Sequence, residues 1–270
     1  FRRFGADVTI LEAGPHLMGR EDADVSEALE EAFRDEGIEL RLGQAAASVR
    51  REGGRTRVVL DDGEEVDGSH LLVATGRRPN TDDLGCEAAG LERDERGHLV
   101  VDDHYRTSVD GVYAVGDCTG GPQFTHASWD DHRILFQLLE GDERRTRAGR
   151  VVPYSSFTDP QVARVGLSQQ EAEDAGLPHE VATLPFGRIA RAYETGRTAG
   201  LVKVVIHAES ERILGAAVVG AEAAELITVF QTLMLADAPA SVLVDAQMIH
   251  PAFVEGLQSA VMTLPRYALS

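Results

Sequence analysis

The chain has 270 residues, enough for more than one domain and a sizeable core; 43% are hydrophobic and 26% charged, as in an ordinary globular protein. A formal net charge of −19 argues against nucleic acid or anionic membrane as partners, because both need basic patches. No stretch approaches the roughly 20 apolar residues of a membrane helix, and two distant cysteines offer neither a disulfide framework nor metal spacing, so no metal and a reducing cytoplasm are expected.

The opening "FRRFGADVTILEA" has neither methionine nor signal peptide. It reads as a last helical turn ended by Gly5 and running into a strand, so the chain is expected to have lost its front. "DVTILE" suits a buried parallel strand. A helix follows from about 24 to 36, with Val25, Leu29, Ala32 and Phe33 on one face and Gly37 as its stop. "IELRLG" is a second strand, and antiparallel strands joined by "EGG" and "DDG" turns lead to an apolar strand at 70–75. After the polar, turn-rich "RRPNTDDLGCEAAGLERDERG" come strands near 98–101 and 111–115. A helix from about 126 to 140 then turns Ala127, Ile134, Leu135 and Leu138 inward. "GDERRTRAGRVVP" is a charged linker and the clearest boundary, near 146–151. Beyond it strands fall near 151–157, 161–166, 179–186, 199–206 and 212–219, with helices near 168–175, 221–237 and 253–263, as in a separate α+β domain.

Three segments carry chemistry. In "TSVDGVYAVGDCTGGPQFTHASWDD", a short strand delivers Gly116 and Asp117 to its carboxyl end, where open α/β sheets bind ligands. Glycines 116, 120 and 121 admit close approach, and the helix beginning near Thr125–His126 points its positive end back at the same place. The plain alternative is a strand–turn–helix in which Asp117 caps a turn. In "LLVATGRRPN", Thr75 and Gly76 end an apolar strand, either to admit a cofactor backbone or simply as a strand end. In "IHPAFVEGLQ", Pro251 suits the first position of a helix over 252–263, and Glu255, about one turn in, is able to orient the His250 ring. A histidine backed by a carboxylate is a general acid or base near neutral pH, though a lone His-Pro is also ordinary structure. Glu12, closing "VTILE", stands where dinucleotide folds place an acid on the adenosine ribose, which favours NADH over NADPH. Cys118 follows Asp117 directly, the wrong setting for a reactive thiol. Cys86 reads as a small buried residue. Trp129, Asp130 and Asp131 read as helix surface and packing.

Together these motifs resemble the pyridine nucleotide–disulfide oxidoreductases, the FAD-containing family of glutathione reductase, lipoamide dehydrogenase and mercuric reductase; the resemblance covers essentially the whole chain, as that family's C-terminal portion. It implies an α/β plus α+β fold in three parts: the second half of an NAD-binding domain over 1–79, the closing segment of an FAD-binding domain over 80–148, and a dimerisation domain over 149–270. It also implies roles for single residues. Asp117 would take the ribityl hydroxyls of FAD, with Thr107 in the same pattern. The backbone amides of Gln123, Phe124, Thr125 and His126 would meet the flavin's pyrimidine edge, and Gly76 would face the nicotinamide cofactor. NADPH-using relatives tend to carry arginine at the positions of Glu12 and Met18, although Arg20 lies close by. "YSSFTDPQVARVGLSQQEA" resembles the opening of the dimerisation domain, with Phe157, Pro160, Val165 and Gly166 as framework. His250 would be the acid–base group and Glu255 its orienter, acting across a homodimer on the partner's redox cysteine pair, which is expected before Phe1.

The function this implies is hydride transfer from NADH to FAD, then to a cysteine pair and on to a small-molecule or protein disulfide, or the reverse as in dihydrolipoamide oxidation. Mercuric or other metal-ion reduction is an alternative. Against it, the ending "TLPRYALS" lacks the cysteine pair of mercuric reductases, and His250 stands where they usually carry tyrosine. A non-catalytic dimerisation fragment is a further alternative.

Overall fold

The computed structural model describes residues 1–268. The chain divides into two compact units: residues 1–72 together with the described residues from 153 onward, and residues 73–152.

A single 3₁₀ turn, Arg2–Phe4, ends at Gly5 in the left-handed conformation (φ 91°) and leads into β1 (Thr9–Glu12). Helix α1 (Ala23–Asp35) crosses to β2 (Glu39–Leu42), which pairs parallel to β1 with Thr9 opposite Glu39. β3 (Ala46–Glu52), β4 (Arg55–Leu60) and β5 (Glu65–Gly68) form an antiparallel meander. Gly53 and Gly54 both have positive φ (57° and 80°), the requirement of the tight primed turn that matches strand twist.

Two expectations fail next. Residues 70–75 form no strand, and Leu72 is 83% exposed. A run apolar on both faces needs a strand on either side, and none pairs with it among the described residues. The strands expected at 98–101 and 111–115 shrink to single bridges, Arg93 with Leu99 and Arg106 with Tyr113, because each hairpin closes after one rung. Before both comes the short helix α2 (Cys86–Ala89). Helix α3 (Thr125–Leu139) buries Ala127, Ile134 and Leu138 as its periodicity requires. The charged linker with its boundary expected near 146–151 instead packs within the second unit: Arg145 and Arg150 pair with Asp130 at 2.6 and 3.2 Å, and Arg147 lies over the Tyr105 ring.

The C-terminal part follows its expected elements closely: β6 (Tyr154–Ser156), β7 (Gln161–Gly166), α4 (Gln169–Asp174), β8 (His179–Pro185), α5 (Ala190–Thr195), β9 (Leu201–His207), β10 (Ile213–Gly220), α6 (Ala223–Leu235), α7 (Ser241–Asp245) and α8 (Glu255–Val261). The short α5 and α7 had no clear sequence signal. One antiparallel sheet has the order β6-β7-β10-β9-β8. Val162, Val165, Val202, Val204 and Val218 are fully buried in it, the signature of a sheet covered on both faces. Part of that cover is α1, whose Val25 and Leu29 join Val162, Leu201, Ala217 and Val219 in one apolar cluster with Phe33 against it. Polar ties reinforce the contact. Asp22, which precedes α1, accepts from the Gln169 and Gln170 amides at the start of α4 (3.0 and 3.1 Å) and meets the buried Lys203 ammonium at 3.0 Å. Tyr154 donates to Glu21, while Arg164 donates to the Tyr154 oxygen at 2.6 Å and pairs with Glu171 at 2.8 Å.

Candidate functional site

In the second unit the chain turns at Gly116 (φ 79°) into a single 3₁₀ turn, Gly116–Thr119, closed by Gly120 (φ 70°). The turn presents Asp117 with its side chain 53% exposed. A Cβ at Gly116 would sit 3.2 Å from the Ser128 hydroxyl, and positive φ disfavours a side chain there in any case. Phe124 precedes α3 with no side-chain cap on the first turn, and Thr125 and His126, which open the helix at its positive end, are exposed. The Phe124 and His126 rings stack 5.3 Å apart beside it. Thr107 closes the preceding loop, donating to the Val112 carbonyl at 2.8 Å and accepting from the Val109 amide at 3.2 Å.

Two features there had gone unread. Arg77, immediately after Gly76, donates to the Gln123 carbonyl at 2.8 Å and stands 3.9 Å from the Asp117 carboxylate. It thereby joins the "ATG" and "GD" segments, and the paired arginines inside "GRRPN" were its only sequence signal. Asp131 is buried rather than on the helix surface. Its carboxylate accepts from the Gly116 amide at 2.9 Å and from the Tyr105 hydroxyl at 2.5 Å, and pairs with Arg150 at 2.8 Å. Burial, then the Asp131 carboxylate, push the Tyr105 phenol's pKa well up and keep it protonated. Burial also raises the Cys118 thiol, reinforced by Asp117 and Asp131, so that sulfur is an inert one. Gly76 has φ 132° and nothing within 4 Å of where a Cβ would sit, so the backbone is open to close approach.

In the first unit, Glu12 ends β1 and its carboxylate accepts from the Gly14 amide at 2.8 Å. Met18 packs against the α1 cluster. His250 and Glu255 come together as expected, with Nδ1 2.8 Å from the carboxylate. The imidazole is 71% exposed and the Glu255 side chain 17%. A sheltered carboxylate on a helix thus holds one ring nitrogen and leaves Nε2 outward. The helix itself starts later than expected. The His250–Pro251 peptide is cis, and a turn through Phe253 and Val254, closed by the Gly256 and Leu257 amides at 3.0 and 3.1 Å, comes first. Glu255 is therefore the first residue of α8, where its charge faces the helix's positive end.

The donor set fits the two groups that the motifs imply. An exposed carboxylate beside an exposed helix start matches a ligand offering hydroxyls at one end and an electron-rich ring at the other, and an acid ending the first strand of a β–α–β unit matches a ribose. Among the described residues no group of histidines, cysteines and acids is placed to hold a metal ion, and no helix is long and apolar enough to cross a membrane.

The profile described as pyridine nucleotide-disulphide oxidoreductase matches residues 1–131, and that of the family's dimerisation domain matches residues 152–261. The chain is 36% identical over 259 residues to the probable pyridine nucleotide-disulfide oxidoreductase RclA of Escherichia coli, covering 95% of this chain and 58% of that protein. It is 35% identical to a dihydrolipoyl dehydrogenase of Haloferax volcanii (96% and 56%) and 30% identical to a mercuric reductase of Staphylococcus aureus (98% and 49%). Among solved structures, the Cu(II) complex of the HOCl-induced flavoprotein disulfide reductase RclA superposes with a TM-score of 0.92 at 34% identity, over 97% of this chain and 60% of that one. The chain thus spans between 49% and 60% of the length of these proteins.

Proposed function

The chain belongs to the pyridine nucleotide-disulphide oxidoreductase family, and from that premise we propose that it is the C-terminal portion of an FAD-dependent NAD(P)H oxidoreductase of the disulfide reductase type, working as a homodimer. The observation that carries this reading is the pair His250–Glu255, a carboxylate-held imidazole with its outer nitrogen exposed. Bound FAD would supply two-electron transfer between a nicotinamide and sulfur. Asp117 would hold it by hydroxyls and the start of α3 would favour negative charge beside it. Glu12 would hold the ribose of the nicotinamide cofactor, and with no arginine at positions 12 or 18 that cofactor is NADH. Gly76 would let its backbone pass. His250, as imidazolium, would give a proton from Nε2 to a departing thiolate and, as the neutral ring, take it back from the thiol, while Glu255 accepts from Nδ1–H and so leaves Nε2 as the nitrogen that gains and loses the proton. The sulfurs it serves would lie in a part of the enzyme outside these 270 residues. The three-part organisation 1–79, 80–148 and 149–270 and a cytoplasmic setting belong to the same proposal.

In the intact flavoenzyme, His250→Ala should slow electron delivery to a disulfide acceptor by roughly 10²- to 10⁴-fold. Flavin reduction by NADH, followed by stopped-flow absorbance and outpacing NADPH, should stay near the parent rate. Equal loss in both half-reactions would sink the assignment. A metal ion as acceptor is the second reading, favoured by the likeness to a mercuric reductase and to a protein crystallised with Cu(II). Acceptor assays with metal salts in place of disulfides separate the two.

A further inference from the structure

The stretch that carries His250 is weakly held by its own backbone. Ala246 to Pro251 has no regular structure, and none of its amides donates to another backbone carbonyl among the described residues. The element after it is, by contrast, firmly seated. Gly256 of α8 packs so closely that a Cβ there would lie 2.2 Å from Ile189 Cδ1, and Phe253 stacks on Phe186 at 5.7 Å. Two side chains reach back from that seated helix. One is Glu255, which takes the His250 ring. The other is Gln258, one turn on, whose amide nitrogen lies 3.0 Å from the Leu243 carbonyl, 2.9 Å from that of Val244 and 2.6 Å from that of Ala246. These carbonyls belong to the last turn of α7 and the residue after it, where a helix lacks internal donors.

We propose that Gln258 is a positioning residue for His250: it ties the chain entering the His250 stretch to the same helix that holds the ring, so that both ends of the stretch are set by α8. The role rests on the acid–base reading of His250 but uses a different contact. It also demands a donor. Two amide hydrogens shared among three carbonyls satisfy the end of α7, whereas a carboxylate of the same size would turn acceptors onto acceptors. A shift of about 1 Å in a catalytic group can cost on the order of 10²-fold in rate, so the placement has leverage.

The deciding variant is Gln258→Glu in the intact flavoenzyme, with Gln258→Ala as a second variant that removes the donor without adding charge. Near neutral pH, Gln258→Glu should slow delivery to the disulfide acceptor by roughly 10- to 100-fold, with flavin reduction by NADH near the parent's. The backbone amides of Leu243 and Val244, both bonded to the Ala240 carbonyl in α7, should exchange with deuterium faster as the end of that helix frays. As the introduced carboxyl protonates at low pH and becomes a donor, the deficit relative to the parent at the same pH should shrink; a packing role would leave it constant. Gln258→Ala should show the faster exchange and a smaller rate loss. Parent-like exchange and rate in both variants would overturn the role. If His250→Ala slows acceptor turnover while the Gln258 variants do not, only Gln258 is misassigned; if His250→Ala has no effect, the acid–base reading itself fails.

Discussion

The carboxylate of Asp131 receives the Gly116 amide, the Tyr105 hydroxyl and the Arg150 guanidinium at once, and each holds a different stretch of chain. Through Gly116 it sets the turn that presents Asp117, so a buried residue governs the exposed one. Breaking a buried ion pair by removing one partner costs about 3–5 kcal/mol. Asp131→Ala should therefore lower the unfolding free energy in urea by about 3 kcal/mol, since Tyr105 and the Gly116 amide are left without an acceptor and Arg150 keeps only Asp130. Tyr105→Phe, which removes one charge-assisted bond, should cost roughly 1.5–3 kcal/mol. Parent-like stability of Asp131→Ala would show that the network contributes nothing. Nothing in the spacing betrayed this cluster, because Tyr105 and Arg150 stand 26 positions before and 19 after Asp131. His250 and Glu255, five positions apart on either side of a proline, were legible because their contact is local.

At the scale of elements, short-range chemistry and packing divided the work. Turns with obligatory glycines, the amphipathic α1 and α3, and the valine-rich strands of the five-stranded sheet follow from residue pattern alone. The stretch 70–75 has the same pattern as those strands yet forms none, since a ladder needs a partner that pattern cannot supply. α8 is the reverse case: a proline-led helix over 252–263 was expected, and Gly256 packing on Ile189 marks where the helix is seated. Gly256→Ala should gain some helix propensity, about 1 kcal/mol, but overpack against Ile189 at a cost of roughly 1–3 kcal/mol. A net loss measured by thermal unfolding, reduced when Ile189→Val makes room, is the expected result; a Gly256→Ala protein more stable than its parent would contradict the close contact.

For the whole molecule, the notable electrostatic joint is between the start of α1 and the five-stranded sheet. Burial alone would raise the Asp22 carboxyl, but the Gln169 and Gln170 amides and the Lys203 ammonium together hold its pKa below the usual 3.8. A depressed folded-state pKa contributes stability above the unfolded value and loses it as pH falls through the folded one. Asp130 and Asp159 act in the same direction: burial would raise Asp130 but Arg145 and Arg150 outweigh it, and Arg3 with Arg197 holds Asp159 down against its burial. Glu21 acts oppositely: burial raises its pKa above the usual 4.5, so the stability it contributes is present below that value and fades as pH rises through the folded one. With the lowered group more numerous, the thermal midpoint should drop as pH falls below about 4. Asp22→Asn should flatten that acid limb; an unchanged limb would mean that Asp22 titrates alike in both states.

Sequence by itself determined the family, most elements of the first 68 residues and of the C-terminal sheet domain, and the His250–Glu255 pairing, because turn chemistry, strand period and a locally paired His–Glu are written within a few residues of one another. Only the tertiary structure decided that α1 packs on the C-terminal sheet, that Asp131 is buried under the Asp117 turn, and that Arg77 and Gln258 reach across to carbonyls 46 and at least 12 positions away. Those contacts depend on which surfaces meet once elements collapse together, and burial free energy, unlike a turn or a cap, has no fixed address along a chain.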